Sequence, residues 1–174
     1  MKRRLIHWQI AGFVFTGVMG VLLHFLYDWT GQSVLVAPFA AVNESIWEHM
    51  KLLYVPLVLF ALVQGRFLTR NYPHFWCAKL WSTVAGVVAI PLLYYTYSGA
   101  LGMTADWFNI TIFYIAAAAT FLLDTHLLHR GVPCRHPKGA AVLLLALWGL
   151  FVVFTFWSPH IPLFRDPITG TNSI

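Results

Sequence analysis

Five stretches of this chain are each long and apolar enough to cross a bilayer, and a chain built that way has almost no choice of fold. A helix spanning the hydrocarbon needs about 20 mainly apolar residues at ~1.5 Å each. Runs of that kind lie at about 5–27, 46–67, 80–97, 107–128 and 140–157. An open sheet edge in lipid would strand unpaired backbone groups, and the alternation of a barrel strand is missing. The expectation is an all-α polytopic membrane bundle of five transmembrane helices. Residues 1–157 form a single transmembrane domain, and 158–174 form a carboxyl-terminal tail. Only 10% of residues are charged and 59% are hydrophobic. A soluble domain carries about a quarter charged residues, so most of this surface faces lipid, the chain's first partner. Aromatics at 17% exclude disorder.

The net charge of +5 is a matter of topology. Nine of the eleven basic residues (Lys2, Arg3, Arg4, Arg66, Arg70, Lys79, Arg130, Arg135, Lys138) flank the spans on one side, and only Lys51 and Arg165 fall on the other. Positive residues stay in the cytoplasm, which places the amino terminus inside and the carboxyl terminus outside, with the inner (plasma) membrane as the expected location. Asp28, Glu44, Glu48, Asp106 and Asp166 gather on the outer side, with Asp124 alone near the inner one. The basic balance is thus no sign of nucleic-acid binding. The apolar run after Met1 is too long for a signal peptide and no small-residue cleavage site follows it, so it reads as a retained span. Cys77 and Cys134 fall in connections assigned to the reducing cytoplasm, and no disulfide is expected.

The outer ends carry the polar residues. Gly17, Gly20, His24 and Asp28 lie within about 80° on one helix face, which should point at protein, with His24 able to donate to Asp28 one turn on. Val34 to Val42 is apolar but too short to span, and reads as an interfacial or re-entrant piece. It leads into Asn43-Glu44-Ser45-Ile46-Trp47-Glu48-His49-Met50-Lys51. Ser45 and Glu48 fit a capping box. If the helix begins near Asn43, Glu44, Glu48 and Lys51 share a face.

The fourth span answers with Asp106, Asn109, Ala117, Thr120 and Asp124 on one stripe, and Asp124 should find a donor such as Ser82, Thr83 or an inner basic side chain. Tyr94, Tyr95 and Tyr97 are either interface aromatics or pocket lining. The tail, with three prolines, reads as extended and partly ordered.

Three functions fit. The leading one is an outward-facing polar pocket for a small polar ligand, a lipid head group or a cation, with His24, Asp28, Glu44, Glu48 and His49 as binding residues. Lys51 would be an anion contact or the partner of Glu48. The second is a membrane-embedded hydrolase or transferase with a carboxylate or histidine as base. The third is a non-catalytic accessory subunit of a membrane complex, or a homo-oligomer, in which the cluster fixes helix register. A divalent metal on His24, Asp28, Glu48 and His49 is an alternative to the plainer reading, a metal-free network joining the first two helices. No established ligand spacing such as His-Glu-x-x-His occurs. The same weighing applies at the inner end to Asp124, His126, His129, Cys134 and His136.

On His24-Phe25-Leu26-Tyr27-Asp28-Trp29, Asn43 to Lys51 and the five-span layout, the chain resembles a domain-of-unknown-function family of small bacterial integral membrane proteins. That resemblance implies the fold and the location, and no activity. In size, span count and aromatic content the chain is similar to the tryptophan-rich sensory proteins as well. It lacks their proline- and tryptophan-rich first loop, which speaks against porphyrin or sterol binding.

Overall fold

The apolar runs set five helices in the computed structural model, which describes residues 2–172 and, of Lys2 and Asp106, the backbone alone. They are α1 (Lys2–Trp29), α2 (Ile46–Leu68), α3 (Phe75–Leu101), α4 (Asp106–Arg130) and α5 (Pro137–Phe156), with a 3-10 turn at Pro162–Phe164. All five are long and apolar enough to cross a membrane, and no strand occurs among the described residues. The chain is an all-helical bundle, as the run lengths require. Several helices continue past the apolar runs at their ends, because a helix satisfies its own backbone whether lipid or water surrounds it.

Helix α2 is the axis of the bundle. It packs against α1, α3 and α5, and α3 in turn lies against α4. Aromatic rings fill the core beside it: Trp47 meets Phe151, Phe154 and Phe164, and Phe151 meets Tyr54. The Tyr54 hydroxyl donates to the Leu144 carbonyl of α5. Helix α1 packs against α2 and α4. Gly20 permits that approach, since a Cβ there would lie 2.5 Å from the Phe113 ring of α4.

The α1–α2 connection, the α3–α4 connection and the tail share one end of the bundle, here the tail end. The segment from Val34 to Val42 does not span. It folds into successive turns, buries Ala37 and Ala40 against Tyr27, and hydrogen-bonds back to α1 through Ala41 N–H and the Leu23 carbonyl, 3.3 Å. The Trp148 indole donates to the Pro38 carbonyl at 3.3 Å. Trp148 lies about 12 Å up α5 from Phe156 at ~1.5 Å per residue, so the connection dips along α5 with Ala37 and Ala40 buried, while Val34 and Leu35 stay exposed.

At the opposite end, Asp124 is buried and fully engaged. Its Oδ2 accepts from Lys79 Nζ at 2.7 Å and from Gln9 Nε2 at 2.5 Å, and its Oδ1 accepts from Ser82 at 3.4 Å. Ser82 and a basic side chain were among the expected donors; Gln9, from α1, was not. Lys79 is thereby a core residue and not a loop charge. Lys51 is likewise buried, so eight basic residues remain at one end against Arg165 at the other. The asymmetry survives.

The expected free thiols are corrected: Cys77, at the start of α3, and Cys134, in the α4–α5 connection, form a disulfide with their Cα atoms 5.9 Å apart. Sequence placed them in separate connections 57 residues apart and judged them by compartment. The packing of α3 on α4 brings the two connections together.

Candidate functional site at the tail end

The geometry begins with how α2 starts. Asn43 Oδ1 accepts from Ser45 N–H at 3.0 Å, and Ser45 Oγ caps the helix by accepting from Glu48 N–H at 3.4 Å. The helix therefore begins at Ile46, and the face shared by Glu44, Glu48 and Lys51, which needed a start near Asn43, does not exist. Glu44 stands before the helix, held between two capping residues, and projects away from Glu48. The capping box is half made: Glu48 gives its N–H to Ser45, but its carboxylate turns into the core.

The six sequence candidates accordingly divide into three groups. Glu48 and Lys51 form a buried ion pair of 2.6 Å. Lys51 Nζ also donates to the Ala37 carbonyl at 2.7 Å and to Thr155 Oγ1 at 2.8 Å, and Glu48 accepts from Val42 N–H at 3.1 Å and from Thr155 at 2.9 Å. Every ammonium hydrogen has a partner. The pair ties the connection, at Ala37 and Val42, to α2 and α5.

Asp28 stands alone. It is exposed, and among the described residues its carboxylate makes no hydrogen bond or ion pair.

His24, Glu44 and His49 converge. His24 Nε2 lies 3.6 Å from Glu44 Oε1, and His49 Nε2 lies 3.5 Å from Glu44 Oε2. The two rings are 5.6 Å apart at 45°. One potential ligand atom from each residue falls within 4.8 Å of the others. His49 Nδ1 is 2.9 Å from the Ser45 carbonyl. A carbonyl only accepts, so Nδ1 carries a proton there, and Nε2 is the ring nitrogen that faces the cluster.

Two adjoining cavities of about 180 and 370 Å³ share Glu44, His49, Asn109, Phe113 and Ile168 as lining, and His24 lines the larger one. Tyr94 lines the smaller one, and beside it Tyr97 donates to Asn109 Oδ1 at 2.5 Å. The larger runs between α1 and α4 past Gly20, Val21, Phe25, Ile110 and Tyr114. The side chain of Asp106, expected to join this stripe, lies outside the described residues.

Sequence reasoning missed Asp166. It is buried, accepts from Ile168 N–H at 2.7 Å and Thr169 N–H at 3.3 Å, and holds Glu44 through its backbone N–H at 3.5 Å. Burial pushes its carboxyl up, but the hydrogen bonds from Ile168, Thr169 and Glu44 outweigh that and hold it below the ordinary value. Gly170, at φ 75°, closes this turn in a backbone region that favours glycine. The signal in the sequence was Asp166-Pro-Ile-Thr-Gly, a turn composition within a tail read as extended.

A family model described as a family of unknown function, DUF6512, matches residues 1–174, and the chain belongs to that family. No curated protein and no solved structure matches it.

Proposed function

We propose that this member of a family without an assigned activity is a multi-pass inner-membrane protein whose outward-facing pocket binds the polar head group of an amphiphile. The amphiphile reaches the pocket from the outer leaflet between α1 and α4. One observation carries the reading: the larger cavity is polar at one end, at His24, Glu44 and His49, and apolar along its length. Its walls include Val21, Phe25 and Ile110, which are 45%, 44% and 59% exposed on the bundle surface and would face acyl chains in a bilayer. A polar head with an apolar tail matches that division; a small soluble solute would leave the apolar part unused. The excess of basic residues at the opposite end supports the outward orientation.

The test is native purification in a mild detergent followed by extraction and mass spectrometry of bound lipid, with a photo-crosslinking residue at position 110. The expected result is one amphiphile class enriched over the bulk membrane and crosslinked at that position. Val21→Trp, which fills the passage, should reduce it at least tenfold. Retained lipid matching bulk composition, or unaffected by Val21→Trp, removes the proposal.

A further inference from the structure

The geometry points to a divalent transition-metal site, of the zinc class, formed by His24, Glu44 and His49. The inference rests on reading the tail-end cavity as a binding site, and concerns what stands at its polar end.

Ordinary hydrogen bonding does not explain the trio. The two nitrogen-to-oxygen distances, 3.5 and 3.6 Å, exceed the 2.7–3.2 Å of an N–H···O bond. They come close to the ~3.3 Å expected between two ligands that each lie ~2.0 Å from one tetrahedral ion. His49 is the sharper case. With Nδ1 held by the Ser45 carbonyl, Nε2 is the ring nitrogen left to face Glu44 Oε2, at a separation longer than a direct hydrogen bond and suited to an ion held between the two. A histidine bound to metal through Nε2 while Nδ1–H donates to a backbone carbonyl is the usual outer-shell arrangement, and it fixes the ring's tautomer and direction.

The donor set agrees. Two imidazoles and one carboxylate suit a borderline divalent ion, and three protein ligands leave a further position for an oxygen donor from the cavity. Glu44 is 41% exposed, so that position opens toward the space lined by Asn109 and Phe113 and is not sealed in the core. The supporting shell comes from distant parts of the chain: Ser45 orients His49, Asp166 anchors the Glu44 backbone, and α1 delivers His24. Asp28 and Glu48, the other sequence candidates, take no part, one exposed and the other committed to Lys51.

The experiment uses the full chain in detergent, stripped with a chelator and titrated with Co²⁺ and Zn²⁺. One equivalent of Co²⁺ per chain should bind with the intense visible absorption of a low-coordinate site, and Zn²⁺ should displace it. His49→Ala and Glu44→Gln should each weaken binding at least tenfold, with melting temperatures recorded alongside, while Asp28→Asn leaves it unchanged. Absence of stoichiometric binding to the wild-type chain overturns the site whatever the variants do, as does binding that survives both substitutions in folded protein. The lipid-retention measurement above is independent: a head group bound without metal would end this inference and spare that reading.

Discussion

Lys51 Nζ lies 2.6 Å from Glu48 Oε2, three residues back on α2, and neither side chain reaches solvent. Removing one member of such a pair leaves a charge stranded in a medium that cannot hydrate it, whereas removing both leaves mainly a packing problem. Lys51→Ala should therefore destabilise the bundle by about 3–5 kcal/mol. The double variant Glu48→Leu, Lys51→Met should recover most of that loss. Thermal unfolding in detergent reads both, and a single variant as stable as wild type would remove the pair from the architecture.

Helices α3 and α4 cross at Gly86, where a Cβ would lie 1.8 Å from Thr120 Oγ1. That hydroxyl donates to the Ala116 carbonyl at 2.8 Å and cannot move aside without giving up the bond. Gly86→Ala should cost about 1–3 kcal/mol by overpacking. Adding Thr120→Ala should restore part of it, which a melting comparison of the three chains would reveal; equal melting for Gly86→Ala and wild type would contradict the close crossing.

The fold was legible because bilayer thickness alone sets the length of an apolar run, and Asp124 was legible because a carboxylate inside a span must find a donor. The composition of the site was not. Whether Glu44 sits on the helical face of Glu48 depends on one capping event, and Ser45 makes Ile46 the first helical residue, so a shift of two residues in the cap moves Glu44 to the histidines. Helical periodicity is silent about a cap choice between Asn43 and Ser45. Asp28 illustrates the converse: periodicity puts it on a face in common with His24, yet it is exposed while His24 reaches Glu44. Asp166 and the Cys77–Cys134 pair depend on contacts between segments far apart in sequence, which local pattern does not encode.

The Cys77–Cys134 disulfide closes a loop of 57 residues around α3 and α4. Constraining the unfolded chain in that way is worth about 2–4 kcal/mol. Cys77→Ser with Cys134→Ser should lower the thermal midpoint, and reducing wild-type protein should produce the same shift. A mass-tagged maleimide should react with denatured wild type only after reduction; labelling beforehand would show the thiols free. Stable disulfides form outside the reducing cytoplasm, whereas an excess of basic residues such as this end carries favours the inside. Labelling with an impermeant maleimide after reduction, in right-side-out and inverted vesicles, reads the orientation directly.

Asp166 gives the tail a pH dependence. Its folded pKa lies below the ordinary value of 3.8, so its contribution is complete above that value and is lost as the pH falls through the lower, folded one. Hydrogen exchange of residues 166–171 should be protected from neutral pH down to about 5 and lose protection below about 4, after correction for intrinsic exchange rates. In Asp166→Asn the segment should be less protected throughout, with no step in the acid range. A step that persists in this variant would assign the titration to another group.

The contact between Glu44 N–H and Asp166 joins positions 122 residues apart, and Asp166 follows the last helix. A ribosome delivers Glu44 and both histidines well before Asp166, so the trio acquires this anchor only after α5 has been made. Chains stalled or truncated before Asp166 would carry the three side chains without the turn that seats them. Assembly of this site thus reports on synthesis through residue 171, and biochemical work on the pocket calls for leaving that turn intact.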